Sequence, residues 1–197
     1  TQLGILNDIL DFSKIEAGKL GLSYEPFAMT DIIERTCETL QAHAQQADVE
    51  LACHVDAAIP EFLLGDALRV RQIITNFTTN AIKFSSALTR KGEVRLVADL
   101  SSVVDDNYWV EVRVTDNGID MDEATRKRLF QPFTQADSDT TRKYGGTGLG
   151  LVISLRLAQA MDGHVDVTSE PGKGSCFSLR LPFMRAEKPL AYSARES

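Results

Sequence analysis

Cysteine is scarce in this chain: Cys37, Cys53 and Cys176 lie far apart among 197 residues, with no Cys-x-x-Cys pair. That spacing argues against a disulfide framework and for free core thiols in a reduced, cytosolic setting. Basic residues are also in deficit. Lys and Arg number 21 against 28 Asp and Glu, a net charge of -7, which disfavours a nucleic-acid surface and gives no sign of an anionic membrane partner. Any anion must therefore be held locally. No apolar run approaches the length of a membrane span, and the first residues do not resemble a signal peptide, so a soluble piece is expected, even if cut from a membrane protein. Internal repeats are lacking too. The 43% hydrophobic content suffices for one main domain with a smaller appendage.

Glycine, by contrast, is concentrated. Gly145-Gly146-Thr147-Gly148-Leu149-Gly150-Leu151 places four glycines in seven residues, leaving backbone N–H groups able to face an anion. Leu151, Leu155 and Ala158 follow at helical spacing, so the run opens onto a helix N-terminus and its positive dipole end. Two familiar nucleotide sites do not fit. The feeder Asp137 to Tyr144 is polar and not the buried strand of a dinucleotide fold, and no Lys-Ser or Lys-Thr pair closes the glycines as in a P-loop. A lid remains, with Arg142 and Lys143 available to neutralise phosphate charge.

Around this loop the pattern is α/β. Leu3, Leu6, Leu10, Ser13, Ala17 and Leu20 recur at spacings of three and four, predicting a coiled-coil-like stalk that ends near Gly21 and Pro26. A helix is expected from about Thr30, a capping residue, to Ala47, and others from about Asp66 and Thr147. Period-two alternation marks five strands: Val49-Leu51-Cys53-Val55, Val94-Leu96-Ala98-Leu100, Val110-Val112-Val114, Val165-Val167 and Phe177-Leu179-Leu181. Each buries one face only. The expected fold is a two-layer α/β sandwich of a five-stranded mixed sheet and three helices, with a polar tail from about Met184.

Two further elements carry chemistry. Asn76, Asn80 and Lys83 fall at i, i+4 and i+7 on one helix face. Isolated helical asparagines often bond only the backbone, but amide oxygens are also hard ligands for Mg²⁺, and a lysine beside them suits a triphosphate. Asp116-Asn117-Gly118-Ile119-Asp120 follows the strand Val110 to Val114. It reads either as an ordinary turn or as a carboxylate that accepts from the exocyclic amine of adenine and repels a guanine carbonyl.

In this order the elements resemble the ATP-binding catalytic domain of histidine protein kinases, within the superfamily shared with gyrase B, mismatch-repair and heat-shock chaperone ATPases. Asn76 to Phe84 resembles the N box, Asp116 to Gly118 the start of the first glycine box, Leu129 to Phe133 the F box, and Gly145 to Leu151 the second glycine box. Leu6 to Lys19 is similar to the end of the second dimerisation helix, especially of hybrid kinases. The resemblance implies a Bergerat-type ATP-binding fold over 23–184, the end of a dimerisation helix over 1–22 and a linker over 185–197. It implies ATP and Mg²⁺ as ligands, Asn80 as the metal ligand with Asn76 beside it, Lys83 and Arg142 on phosphates, Phe84 flanking adenine and Asp116 binding the base. Gly118, Ile119, Phe133, Lys143, Gly146, Thr147, Gly148, Leu149 and Gly150 complete the implied nucleotide site. The implied partners are the protein's own dimerisation and phosphoacceptor domain, a second copy in a homodimeric parent, and a response-regulator receiver domain. The implied location is the cytoplasmic part of a membrane-associated sensor.

Related ATPases place a water-activating glutamate four residues before the metal-binding Asn, where this chain has Asn76. An amide is no general base, so phosphoryl transfer to histidine is favoured over hydrolysis. The family's phosphoacceptor histidine is missing here, and His43, His54 and His164 lack its context. This chain alone is therefore expected not to phosphorylate itself.

Asp120 stands where the first glycine box usually has its second glycine. It either weakens ATP binding, through a backbone penalty of about 1 kcal/mol and a repulsion of about 3 kcal/mol at roughly 6 Å, or caps the next helix and points away. The first outcome would make the chain a degenerate, partner-binding module. Asp162 likewise replaces a glycine before the late strand, as a turn variant, and Pro171 to Ser175 suits a hairpin turn.

Overall fold

The computed structural model describes residues 10, 13–15, 18, 21–86, 91–118, 124, 150–170 and 172–189. Seven strands form one mixed sheet: β1 (Glu25–Phe27), β2 (Val49–Val55), β3 (Leu63–Gly65), β4 (Gly92–Val104), β5 (Asn107–Asp116), β6 (His164–Glu170) and β7 (Gly174–Arg185). The described helices of that layer are α1 (Met29–Gln46), α2 (Ala67–Ser85) and α3 (Gly150–Ala160). Strand order is β1-β3-β7-β5-β4-β2, with β6 also on β7. Only β2 and β4 run parallel, because α2 lies in the crossover between them, and the other pairs are antiparallel.

All five expected strands are present. The two additional ones, β1 and β3, are three residues each, too short for alternation to register in the sequence. Pro26 does not break a helix but sits in β1 at the sheet edge, where a missing N–H is tolerated. Thr30 is not a cap. The helix begins one residue earlier, and Ala28 stands at the N-cap without a side-chain bond. Met184 and Arg185 belong to β7 rather than to a tail, since they pair with Leu64 and Leu63 of β3. The expected stalk, with Thr147 and the loop before α3, lies largely outside the described residues; Leu10 and residues 13–15 are helical, and Ile15 packs on the core.

One face of the sheet carries the helices. Val110, Val112 and Val114 of β5 and Phe177, Leu179 and Leu181 of β7 point toward them and are buried. Val70, Ile73, Ile74, Phe77, Ala81 and Ile82 of α2 are 0% exposed, and Phe77 meets Phe177 with ring centroids 5.4 Å apart. Full burial of each such side chain contributes about 1.5–3 kcal/mol, so α2 is the helix the core depends on most. The opposite face is polar, with Arg113 on Asp99 and Glu111, and Arg180 on Glu111, at an exposure that makes these pairs weak. The thiols are not all core groups as expected: Cys37 is buried, Cys176 half-buried and Cys53 exposed, and all three are free. Among the described residues no helix is long and apolar enough to cross a membrane.

Between α3 and β6 the chain reverses through Asp162, at φ 61°. A Cβ on the following Gly163 would overlap Leu181 and the Arg180 carbonyl, so this reversal is tight on both residues. Aspartate tolerates the left-handed region better than most residues, and a β-branched side chain does not. Asp162→Val should therefore lower stability by about 1–2 kcal/mol, whereas Asp162→Gly should cause no loss. Urea denaturation of both variants checks this, and an unaffected valine variant would contradict the strained turn.

Candidate functional site

Helix α2 sets the site out. Asp66 caps it, its carboxylate accepting from Arg69 N at 3.2 Å, and the apolar stripe described above fixes the helix's rotation over the sheet. That rotation leaves Asn76, Asn80 and Lys83 half-buried along one flank. Asn76 Nδ2 donates to Gly150 O at 3.1 Å and to Ser154 Oγ at 3.2 Å. Ser154 Oγ in turn donates to Gly150 O at 2.8 Å, closing a three-membered network at the first turn of α3. The second glycine box and the N box are thus joined directly, at Gly150 and Asn76. A Cβ on Gly150 would fall 3.7 Å from the Asn76 amide carbon, in ordinary contact.

Asn80 is fixed by its own helix. Its Nδ2 donates to Asn76 O at 2.7 Å, which leaves Oδ1 as the acceptor of that side chain. Lys83 lies one turn further on. Burial pushes its ammonium below the ordinary value of 10.5.

Asp116 ends β5, 2% exposed, and strand alternation puts it on the face of Val110, Val112 and Val114, under the helices. Its Oδ1 accepts from Gly118 N at 2.9 Å. Asn117 splints the corner, donating through Nδ2 to Lys91 O at 3.1 Å and accepting from Glu93 N at 2.8 Å. Gly118 presses on the end of α2, where a Cβ would overlap the Phe84 carbonyl. On the other side Gly174, at φ 91°, packs on the Asp116 carbonyl with no room for a Cβ. Gly118 thus approaches the carboxylate and Gly174 the backbone of the same residue.

The structure therefore brings together Asn76, Asn80, Lys83 and Gly150 on one side, and Phe84, Asp116 and Gly118 on the other, with α2 common to both. Ile119, Phe133, Arg142, Lys143, Gly146, Thr147, Gly148, Leu149 and also Asp120 lie outside the described residues. Three contributors had not been anticipated from the sequence: Ser154, Asn117 and Gly174. Ser154 was discoverable as the residue one helical turn after Gly150; the others depend on sheet register, which pairs Asp116 with both Val94 and Ser175.

The donor set suits a magnesium nucleotide. A buried acceptor carboxylate, an amide oxygen and a desolvated ammonium match an amine-bearing base, a hard cation and phosphates respectively.

Residues 65–185 match the family described as "Histidine kinase-, DNA gyrase B-, and HSP90-like ATPase". The chain is 45% identical over 188 residues to the sensor protein GacS of Pseudomonas syringae pv. syringae, covering 94% of this chain and 20% of that protein. It is 39% identical over 179 residues to the signal transduction histidine-protein kinase BarA of Escherichia coli (strain K12), covering 91% and 19%. Among solved structures, full-length ShkA in complex with AMPPNP superposes with a TM-score of 0.79 at 35% identity, covering 96% of this chain and 37% of that one. The chain spans about a fifth of the length of the curated relatives it matches.

Two outcomes test the geometry. Asn76→Ala removes both bonds to α3 and should lower stability by about 1–2 kcal/mol, with Asn76→Asp worse, since its carboxylate would face the Gly150 carbonyl; urea denaturation reads both. Lys83 binds more protons unfolded than folded between its lowered folded value and 10.5, so its penalty is full below that window and is relieved as pH rises through it. Lys83→Met should accordingly stabilise the chain at neutral pH, and that advantage should shrink as pH approaches 10.5 in a thermal-unfolding series.

Proposed function

Because the chain belongs to the histidine kinase-, DNA gyrase B- and HSP90-like ATPase family, we propose that it is the ATP-binding catalytic domain of a hybrid sensor histidine kinase. In this reading the γ-phosphate of ATP passes to a histidine on a dimerisation helix outside this chain. Residues 23–185 form the catalytic domain, whose last strand runs through Arg185, with 1–22 the end of the second dimerisation helix and 186–197 a linker. The parent is a homodimer on the cytoplasmic side of a membrane, and its phosphoryl group goes on to a receiver domain.

The observation that carries the reading is the buried Asp116 carboxylate, aimed into the helix layer and braced at Gly118 and Gly174. An ionised carboxylate only accepts, so it selects adenine by its amine. Phe84, buried beside Gly118, flanks the base, and Ile119 and Phe133 are assigned to the same site by the family resemblance alone. Lys83 and Arg142 hold phosphate oxygens, aided by Lys143 and by backbone N–H groups of Gly146, Thr147, Gly148, Leu149 and Gly150. Asn80, its Nδ2 engaged by Asn76 O, would hold Mg²⁺ through Oδ1, and the ion would supply neutralisation of phosphate charge.

Asn76 supports transfer over hydrolysis. Its Nδ2 is engaged by Gly150 and Ser154, and an amide oxygen does not remove a proton from water. His43 lies on α1, His54 on β2 and His164 at the start of β6, none of them on α2 or β5, the elements that carry the proposed nucleotide site.

The test supplies the missing half in trans. The chain is mixed with γ-labelled ATP, Mg²⁺ and a separate dimerisation domain that carries the phosphoacceptor histidine. Acid-labile label is expected on that domain only, and none on this chain alone. Asp116→Asn should weaken ATP binding about tenfold or more in calorimetry, while Asp120→Gly reports whether the extra carboxylate reduces affinity. Label on the chain itself, steady hydrolysis without acceptor, or an Asp116→Asn variant of undiminished affinity would each overturn the corresponding part.

A further inference from the structure

Away from the nucleotide site, an apolar cavity of about 410 Å³ opens between the N-terminal ends of α1 and α2. Its lining includes Phe27 of β1, Ile32 of α1 and Phe62, all three buried, and Leu68 in the first turn of α2. Leu68 is 66% exposed, so this part of the apolar surface still meets water. Asp31 and the exposed Arg35 and Arg71 line the same cavity. The chain that leaves the sheet runs into it. Pairing of β7 with β3 reaches Arg185 and Leu63, and the next residue continues the ladder, Ala186 N donating to Phe62 O at 3.0 Å. Pro189, a little further on, is itself part of the cavity lining. Proline biases the residue before it toward extended backbone, which suits Lys188 to carry the chain from β7 to the cavity.

We propose that this cavity is the docking site of the chain's own next segment, Leu190-Ala191-Tyr192, which lies outside the described residues. In extended backbone alternate side chains share a side, so Leu190 and Tyr192 enter the cavity together while Ala191 and Ser193 face water. These are the large apolar side chains between Pro189 and Ser197; the rest of that stretch is small or charged. Together they cover Leu68, and the tyrosine ring lies against the guanidinium groups of Arg35 and Arg71. Tethering favours this occupant over one from another molecule. Leu190 is bonded to a residue already in the cavity, so its local concentration exceeds that of a separate partner and little closing entropy is left to lose. Docking fixes the exit of the chain to the ends of α1 and α2, and α2 also carries Asn76, Asn80 and Lys83. On the kinase reading above, whatever follows Tyr192 is held against the catalytic domain rather than swung on a loose linker, but the docking itself does not depend on that reading.

The test uses the full chain without nucleotide, so that failure of ATP to bind would leave its result standing. A benzophenone amino acid in place of Tyr192, irradiated in dilute solution, should cross-link within the same molecule to peptides spanning Pro26 to Arg35 or Ala67 to Arg71. Chymotrypsin should cut the parent after Tyr192 about tenfold more slowly than it cuts a Leu68→Asp variant, because cleavage follows the population of the undocked segment. Aspartate is favourable in the first turn of a helix, so that variant keeps α2, which circular dichroism verifies. Cross-links elsewhere in the chain, cross-links to a second copy, or equal cleavage of the parent and the Leu68→Asp chain would each overturn the docking.

Discussion

The amide of Asn76 is the interaction on which the site's layout depends. One NH₂ group reaches both Gly150 O and Ser154 Oγ, so the helix that carries the amides and lysine and the helix that begins at the glycine run are fixed to each other at one point. Apolar packing alone sets two helices side by side but tolerates sliding by a fraction of a turn. A hydrogen-bonded network with little exposure to water tolerates much less, because a shift leaves donors and acceptors unsatisfied. The residue at 150 takes part through its backbone carbonyl, and a Cβ there would make only ordinary contact with the amide.

The second constraint is electrostatic, and it acts on both sides of α2. A buried carboxylate at Asp116 and a desolvated ammonium at Lys83 are each unfavourable to fold around. Their cost is offset by the core: Phe77, Ile74, Ala81 and Ile82 of the same helix are fully buried. Local hydrogen bonds take part of the charge at Asp116, and the splint made by Asn117 keeps the strand end from fraying. The structure thus accepts polar groups in a dry setting only where secondary structure is over-determined, which is also where a ligand would gain most from meeting them.

Much of this was legible in the sequence, and the residues explain why. Long alternating segments such as Val94 to Leu100 announce a strand because side-chain direction has a period of two, and the face of Asn76, Asn80 and Lys83 follows from helical spacing alone. The three-residue strands β1 and β3 carry too few positions for a period, and are strands only because β7 passes alongside to pair with β3. Thr30 had capping chemistry, yet the helix starts where Met29 can bury against the core, so tertiary burial outweighed the local signal. In the site, Asn117 and Gly174 were beyond reach because their roles depend on which strands are neighbours. Ser154 was within reach, as the residue one turn after a glycine already singled out.

The same amide also bears on what chemistry the fold performs. A glutamate at position 76 would supply the base that water attack needs, but it would bring two acceptor oxygens toward Gly150 O and Ser154 Oγ, where the chain now has a donor. Ser154 could rotate its proton toward a carboxylate; the carbonyl of Gly150 could not respond at all. Two carboxylate and carbonyl oxygens in a partly buried contact repel, so the helices would have to part or re-pack around a different bond. The identity of residue 76 therefore couples two properties that look separate in sequence. Asparagine holds the first turn of α3 against α2 and, by the same hydrogen bonds, denies the site a general base. In a chain with this inter-helix geometry, water activation by residue 76 is disfavoured by packing as well as by side-chain chemistry, which is what the proposed transfer to an acceptor requires.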